Sequence, residues 1–249
     1  MIMIKLLLSL PMIHVAIVTT SVQASARQRS QPPPPAGRPP NRKDGGKRGN
    51  CLVSETQTHQ DFTALVPEHG EMHSLTATPT LWFYVPHAST TVPLAARFSL
   101  RDREGSRAVL AGVPFAPMVI PLSNTPGIIG IRLPKPLEPE TEYHWYLTLI
   151  CAGSEDGPGV DGWLRLVKPD TSLLRQLNQA SSWQERLALY KRANLWADRL
   201  TLLAEVRDRE TSLEENFPSQ ARIEWAKTLQ EIGLAEIAQE PIVSCCALK

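Results

Sequence analysis

Leu137-Glu138-Pro139-Glu140-Thr141-Glu142-Tyr143 runs without a break into His144-Trp145-Tyr146-Leu147-Thr148-Leu149-Ile150. Pro139 fixes its own φ and turns the chain, and the residues after it are aromatic and branched, the composition of a pleated, half-buried surface. A tyrosine at the mouth of such a strand folds its ring inward and returns its hydroxyl to the backbone just upstream, locking the connection between two strands. Segments of the same kind recur on either side: Thr80-Leu81-Trp82-Phe83-Tyr84-Val85, then 95–100, 107–110, 128–133 and 163–167. Proline and glycine separate them and no helical period intervenes, so they predict an antiparallel sandwich rather than a parallel sheet.

The Leu-x-Pro-x-Thr-x-Tyr run is the tyrosine corner of immunoglobulin-like and fibronectin-type-III-like sandwiches. Residues 51–169 are therefore expected to form such a β-sandwich domain, with Tyr143, Trp82 and Trp145 as its structural residues. Trp82, following Pro79, stands where such folds keep their core tryptophan. This signature concerns the scaffold and carries no chemistry.

After Lys168-Pro169 the period turns helical. Asp170 or Thr171 can cap a short helix, and Ser182-Trp183-Gln184-Glu185 reads as a capping box opening the next. Trp183, Leu187, Tyr190 and Ala193 make one apolar stripe; Trp196, Leu200, Leu203 and Arg207 repeat its spacing, and a third run ends at Gly233. Residues 170–243 are thus expected to be a small all-α unit with a tetratricopeptide-like hairpin, and 244–249 a disordered tail. The fold class is α+β.

The first 26 residues carry Lys5, an apolar run from Leu6 to Val18, and the small-residue endings Val22-Gln23-Ala24 and Ala24-Ser25-Ala26. This is the pattern of a secretory signal peptide cleaved after Ala24 or Ala26, which implies a periplasmic or extracellular protein. The other reading is an uncleaved segment anchoring the chain in the inner membrane, although Pro11 and His14 interrupt a run already near the shortest span. Residues 27–50 hold six prolines and four glycines, with Arg27, Arg29, Arg38, Arg42, Lys43, Lys47 and Arg48 against Asp44 alone. A disordered basic linker is expected there, able to touch an anionic surface. No aromatic is interleaved to stack on bases, so specific nucleic-acid binding is not expected. The net charge of +1 thus hides a basic arm on an acidic body.

Four cysteines in an exported chain allow three full pairings. Cys51 with Cys151 is favoured, closing a loop whose entropy contributes ~4–5 kcal/mol in the chain-entropy picture, while Cys245 and Cys246 are left over. His69-Gly70-Glu71-Met72-His73 has the i, i+4 spacing of helical metal ligands, but Gly70 and Pro67 disfavour a helix, so a solvated loop is expected and no metal. His59 and His87 lie nearby in sequence, and His144 is expected on the solvated face of its strand. Glu155, Asp156 and Asp161 lie in a glycine-rich loop with the wrong spacing for an EF-hand. Gly-x-Ser-x-Gly and the P-loop pattern are both missing from the sequence, so no catalytic set and no cofactor are expected.

Cys51 after a basic arm, Pro79-Thr80-Leu81-Trp82-Phe83-Tyr84-Val85-Pro86, Tyr143-His144-Trp145-Tyr146 ending at Cys151, Gly162-Trp163 and the tail Leu189-Tyr190 through Leu203-Ala204 together resemble the cyanobacterial family of domain of unknown function 928. The resemblance spans about residues 50–243 and implies a secreted protein with a β domain, a helical tail and no assigned activity. It supplies no catalytic residues to carry over. The expectation is a non-enzymatic adaptor that binds a protein partner in the cell envelope. The alternatives are an envelope-glycan module, requiring three tryptophans exposed in one plane, and a hydrolase, requiring a pocket with converging carboxylates or histidines.

Overall fold

The computed structural model describes residues 41–44, 61–86, 95–102, 118–122, 126–150, 157–211 and 219–243. All of them belong to one compact unit, residues 38–249. The fold is α+β. Its strands are β1 (Lys43–Asp44), β2 (Phe62–Ala64), β3 (Glu71–Ser74), β4 (Thr80–Val85), β5 (Ala95–Asp102), β6 (Met118–Pro121), β7 (Gly127–Arg132), β8 (Glu142–Ile150) and β9 (Gly159–Leu166). The helices are α1 (Thr171–Gln179), α2 (Trp183–Arg192), α3 (Trp196–Thr211) and α4 (Gln220–Glu231), followed by a 3-10 turn at Ala235–Ile237.

The strands form two sheets, ordered β1-β2-β4-β7 and β3-β9-β8-β5-β6. Along β8, Tyr143, Trp145, Leu147 and Leu149 are buried while the residues between them are half-exposed, the period of two that a one-sided sheet imposes. Phe98 and Leu100 of β5 and Leu164 of β9 share that inner face. It packs against Leu81 and Phe83 of β4 and Ile129 and Ile131 of β7, in one hydrophobic core. Phe83 meets Trp145 edge to face at 5.5 Å, an arrangement that aromatic quadrupoles favour.

The expected all-antiparallel arrangement needs correction at one pair, because β3 runs parallel to β9. The chain leaves β2 in one sheet and crosses to the other, lying along β9 in the same direction. Alternation marks a strand's inner face but carries no information about the direction of a neighbour some ninety residues away.

Trp82 is also corrected, since it does not enter the core between the sheets. Phe83 takes the inward position on β4, so Trp82 points to the opposite face, over Gly130 of β7. There it meets Trp225 of α4 edge-on at 6.4 Å and donates its indole N–H to Thr201 Oγ1 of α3 at 3.2 Å. Trp196 donates to the Leu65 carbonyl at 2.8 Å, and buried Asp198 accepts from the Leu75 N–H and the Thr76 hydroxyl. Helix α3 therefore turns its apolar stripe onto the β part, and the two parts share a single core.

Local chemistry sets the helix boundaries. Asp170, Ser182 and Ser219 cap α1, α2 and α4 through their side chains. Glu185 of the expected capping box reaches one residue further than the motif specifies, accepting from the Ser181 N–H at 2.7 Å. Asn194, at φ 54°, ends α2 in the left-handed region, with Leu195 N–H returning to the Tyr190 carbonyl and Asn194 N–H to Lys191. Gly233, at φ 70°, ends α4 in the same way. Both are Schellman motifs, which need a residue that tolerates positive φ.

The segment expected as linker enters the fold at its end, because β1 pairs with β2 in the first sheet. The candidate strand at 107–110 lies outside the described residues, as does the tail 244–249.

Candidate interaction face

The helices lie on β3 and β4, whereas β5, β8 and β9 have their described neighbours within the sheets. The outer face of the five-stranded sheet is thus the broad surface that the described helices leave uncovered. On it the register sets His144 opposite Trp163 on one side and Arg101 on the other, and Tyr146 opposite Asp161 and Ser99.

These side chains form one connected group. His144 Nε2 lies 2.8 Å from Asp161 Oδ2, and the Tyr146 hydroxyl lies 2.6 Å from His144 Nδ1. A single tautomer satisfies both contacts: Nε2–H donates to the carboxylate while Nδ1 accepts the phenol proton. The imidazole stacks on the Trp163 indole at 4.2 Å with 10° between planes. The other carboxylate oxygen, Asp161 Oδ1, accepts the backbone N–H of Asn41 at 3.0 Å, and the Asn41 side chain donates to the Gly159 carbonyl. His144 and Asp161 are only 17% and 18% exposed. Burial, reinforced by the Asp161 charge and partly offset by Arg101, raises the Tyr146 pKa above its ordinary value. Tyr146 therefore stays a neutral phenol that donates. Both imidazole nitrogens and both carboxylate oxygens are engaged, so the group holds its rings in fixed positions.

Tyr143 is buried, and its hydroxyl accepts the Glu138 N–H at 3.0 Å, joining the start of β8 to the preceding loop. Trp145 is fully buried between the sheets, and Trp82 lies on the far face of the other sheet. Ala24, Ala26, Cys51 and Cys151 lie outside the described residues, as do Cys245, Cys246, His59, His87, Glu155 and Asp156. His69 is exposed at a turn, but His73 is on strand β3 rather than in the expected loop. Among the described residues no three His, Cys, Asp or Glu side chains converge where they could hold a metal ion. No helix among them is long and apolar enough to cross a membrane.

The six tryptophans do not form a plane. Trp145, Trp196 and Trp225 are buried, Trp82 and Trp183 pack against the core, and Trp163 has one ring face covered by His144. Two cations of the arm also have internal partners: Arg42 donates to the Ile232 carbonyl at 2.7 Å, and Lys43 pairs with Glu236 at 2.8 Å.

Sequence reading placed His144 on a solvated face and Asp161 in a loop, and so missed their contact. The usable signal was parity: His144 with Tyr146 and Asp161 with Trp163 are i, i+2 pairs, each confined to one face. Only the register between β8 and β9 brings the pairs together.

The model of the family described as Domain of Unknown Function (DUF928) matches residues 43–242. No curated protein matches the chain.

Proposed function

The chain belongs to the DUF928 family, and on that premise we propose that it is an exported, non-enzymatic protein-interaction module of the cell envelope. Its recognition surface is the outer face of the five-stranded sheet. The observation that carries this reading is the Trp163–His144–Tyr146–Asp161 group, an aromatic and polar patch held rigid on the sheet face away from the helices. Rigid aromatic side chains flanked by arginine are what protein-binding surfaces favour, because little side-chain entropy is lost when a partner docks.

The strand order supports an immunoglobulin-like reading of the β part. On that reading β4 and β7 would correspond to strands B and E, and β9-β8-β5-β6 to G-F-C-C′. The corner tyrosine opens β8 two residues before Trp145, at the spacing where disulfide-bearing members place a cysteine. Fold analogy alone does not assign a function, so the proposal rests on the patch. A catalytic reading has less support, since Tyr146 is held as a neutral phenol and both nitrogens of His144 are engaged. The glycan reading lacks its planar trio of tryptophans.

Affinity capture from envelope extracts tests the proposal, using the wild-type chain beside Trp163→Ala and Arg101→Glu. A protein retained by the wild type and lost with both variants supports it. Capture that is unchanged in both variants, or no protein captured at all, overturns it.

A further inference from the structure

We propose that residues 41–44 are a releasable strap, held across the fold by polar and ionic contacts, and that its release opens the edge of β2 and frees Asp161 Oδ1 while the rest of the fold stays intact. The strap touches three parts of the molecule. Asn41 exchanges backbone hydrogen bonds with Asp161 of β9, giving its N–H to the carboxylate and accepting the Asp161 N–H at 3.0 Å. The Arg42 carbonyl accepts the Ala64 N–H of β2 at 2.9 Å. The Arg42 guanidinium donates to the Ile232 carbonyl at 2.7 Å and to the Val66 carbonyl at 3.3 Å. Ile232 is the C-cap of α4, the negative end of the helix dipole. Lys43 completes the set with Glu236, a pair whose side chains are 37% and 46% exposed.

Asn-Arg-Lys-Asp contains no apolar residue, so the half-buried stems of Arg42 and Lys43 are all the hydrophobic burial it offers. What lies beneath is different: Phe62, Thr63 and Ala64 are 0–2% exposed, and β2 is paired on its other side with β4. Exposed ion pairs and hydrogen bonds to charged groups weaken as salt screens them, whereas apolar packing does not. The strap is therefore the part of the sheet whose hold salt weakens most, its neutral ladder bonds being left with little apolar packing behind them. Competing anions that draw on Arg42 and Lys43 would favour the released state.

Two amides report the strap directly, because Ala64 and Asp161 donate to strap carbonyls. Near neighbours serve as internal controls: Leu65 donates to Trp82 and Trp163 donates to Gly70. Hydrogen exchange of the full chain, resolved by residue, is measured from ~0.01 M to ~1 M NaCl, over which the screening length falls from ~30 Å to ~3 Å. The expected result is that Ala64 and Asp161 accelerate together, by about twofold to fivefold, while Leu65 and Trp163 keep their rates. At low salt Glu236→Lys should have the same effect, and Lys43→Glu combined with Glu236→Lys should restore slow exchange. Ala64 and Asp161 staying as slow as their neighbours at every salt, accelerating independently, or accelerating along with the controls would each overturn the strap.

Discussion

Gly162 and Trp145 face each other across β9 and β8 so closely that a β-carbon on the glycine would stand 2.5 Å from the indole Cζ2 and 2.6 Å from the Gly70 carbonyl oxygen. The indole fills the space that a side chain on the neighbouring strand would take. Gly130 stands in the same relation to Trp82, with a β-carbon 2.9 Å from the ring. Each tryptophan thus has a glycine as its cross-strand partner, one between the sheets and one beneath the helices.

Gly162→Ala should therefore destabilise the fold by about 1–3 kcal/mol or more, the range for overpacking a close-packed core. Gly159→Ala on the same strand is the matched comparison, since its β-carbon would come no closer than 3.2 Å, to Thr148 Oγ1. Urea denaturation of both variants checks the difference. Equal midpoints would mean that the indole moves aside freely.

Tyr143→Phe keeps the buried ring and removes the acceptor of the Glu138 N–H. The expected loss is ~0.5–1.5 kcal/mol, the net worth of one such bond. Equilibrium unfolding measures it, and an unchanged midpoint would leave the corner without an energetic role.

Burial, with the Glu240 charge as a second cause, pushes the Tyr84 pKa from 10.0 up to about 12. A folded-state value above the unfolded one means that Tyr84 contributes stability fully below about pH 10, losing it as pH rises toward 12. The ultraviolet absorbance of phenolate should show a late titration in the wild type that Tyr84→Phe lacks. Loss of every phenol proton near the ordinary value, with the fold intact, would contradict this.

Glu231 and Glu224 of α4 behave in the opposite sense. The Arg199 hydrogen bond lowers the Glu231 pKa, and the Lys227 hydrogen bond lowers that of Glu224. Their contribution is present above the ordinary carboxylate range and is lost as pH falls through the depressed folded values. Glu231→Gln should accordingly flatten the acid limb of a stability-against-pH curve, read from urea midpoints, and have its largest effect at neutral pH.

The intact mass of protein recovered from its native compartment, with thiol labelling before and after reduction, checks export. The expected product has lost residues 1–24 or 1–26, with Cys51 and Cys151 labelled only after reduction. A full-length chain with four reactive thiols would place the protein in a reducing compartment and remove the envelope from the proposed function.

The long elements were legible because each carries its own period. Strand β8 alternates over nine residues, and the helix boundaries follow from Asp170, Ser182 and Gly233, whose chemistry is local, whereas β9 was legible only from Trp163 because Gly159 to Gly162 read as a glycine-rich loop. Strands β1, β2, β3 and β6 span two to four residues, too few for a period to show. Phe62-Thr63-Ala64 is buried throughout and does not alternate at all. Glu71-Met72-His73-Ser74 does alternate, but it sits among turn-forming residues that read as loop.

The sequence by itself determined which residues share a face, where the chain turns and caps, and that a β part precedes a helical one. All of these follow from interactions within a few residues. Tertiary structure alone decided which face is inside. It sent Trp82 outward to Trp225 and Trp145 inward to Phe83, laid β3 parallel to β9, brought His144 to Asp161, and drew Asn41 back across the sheet edge. Each of these depends on register between segments far apart in the chain, and a one-residue shift in register would carry every side chain to the opposite face.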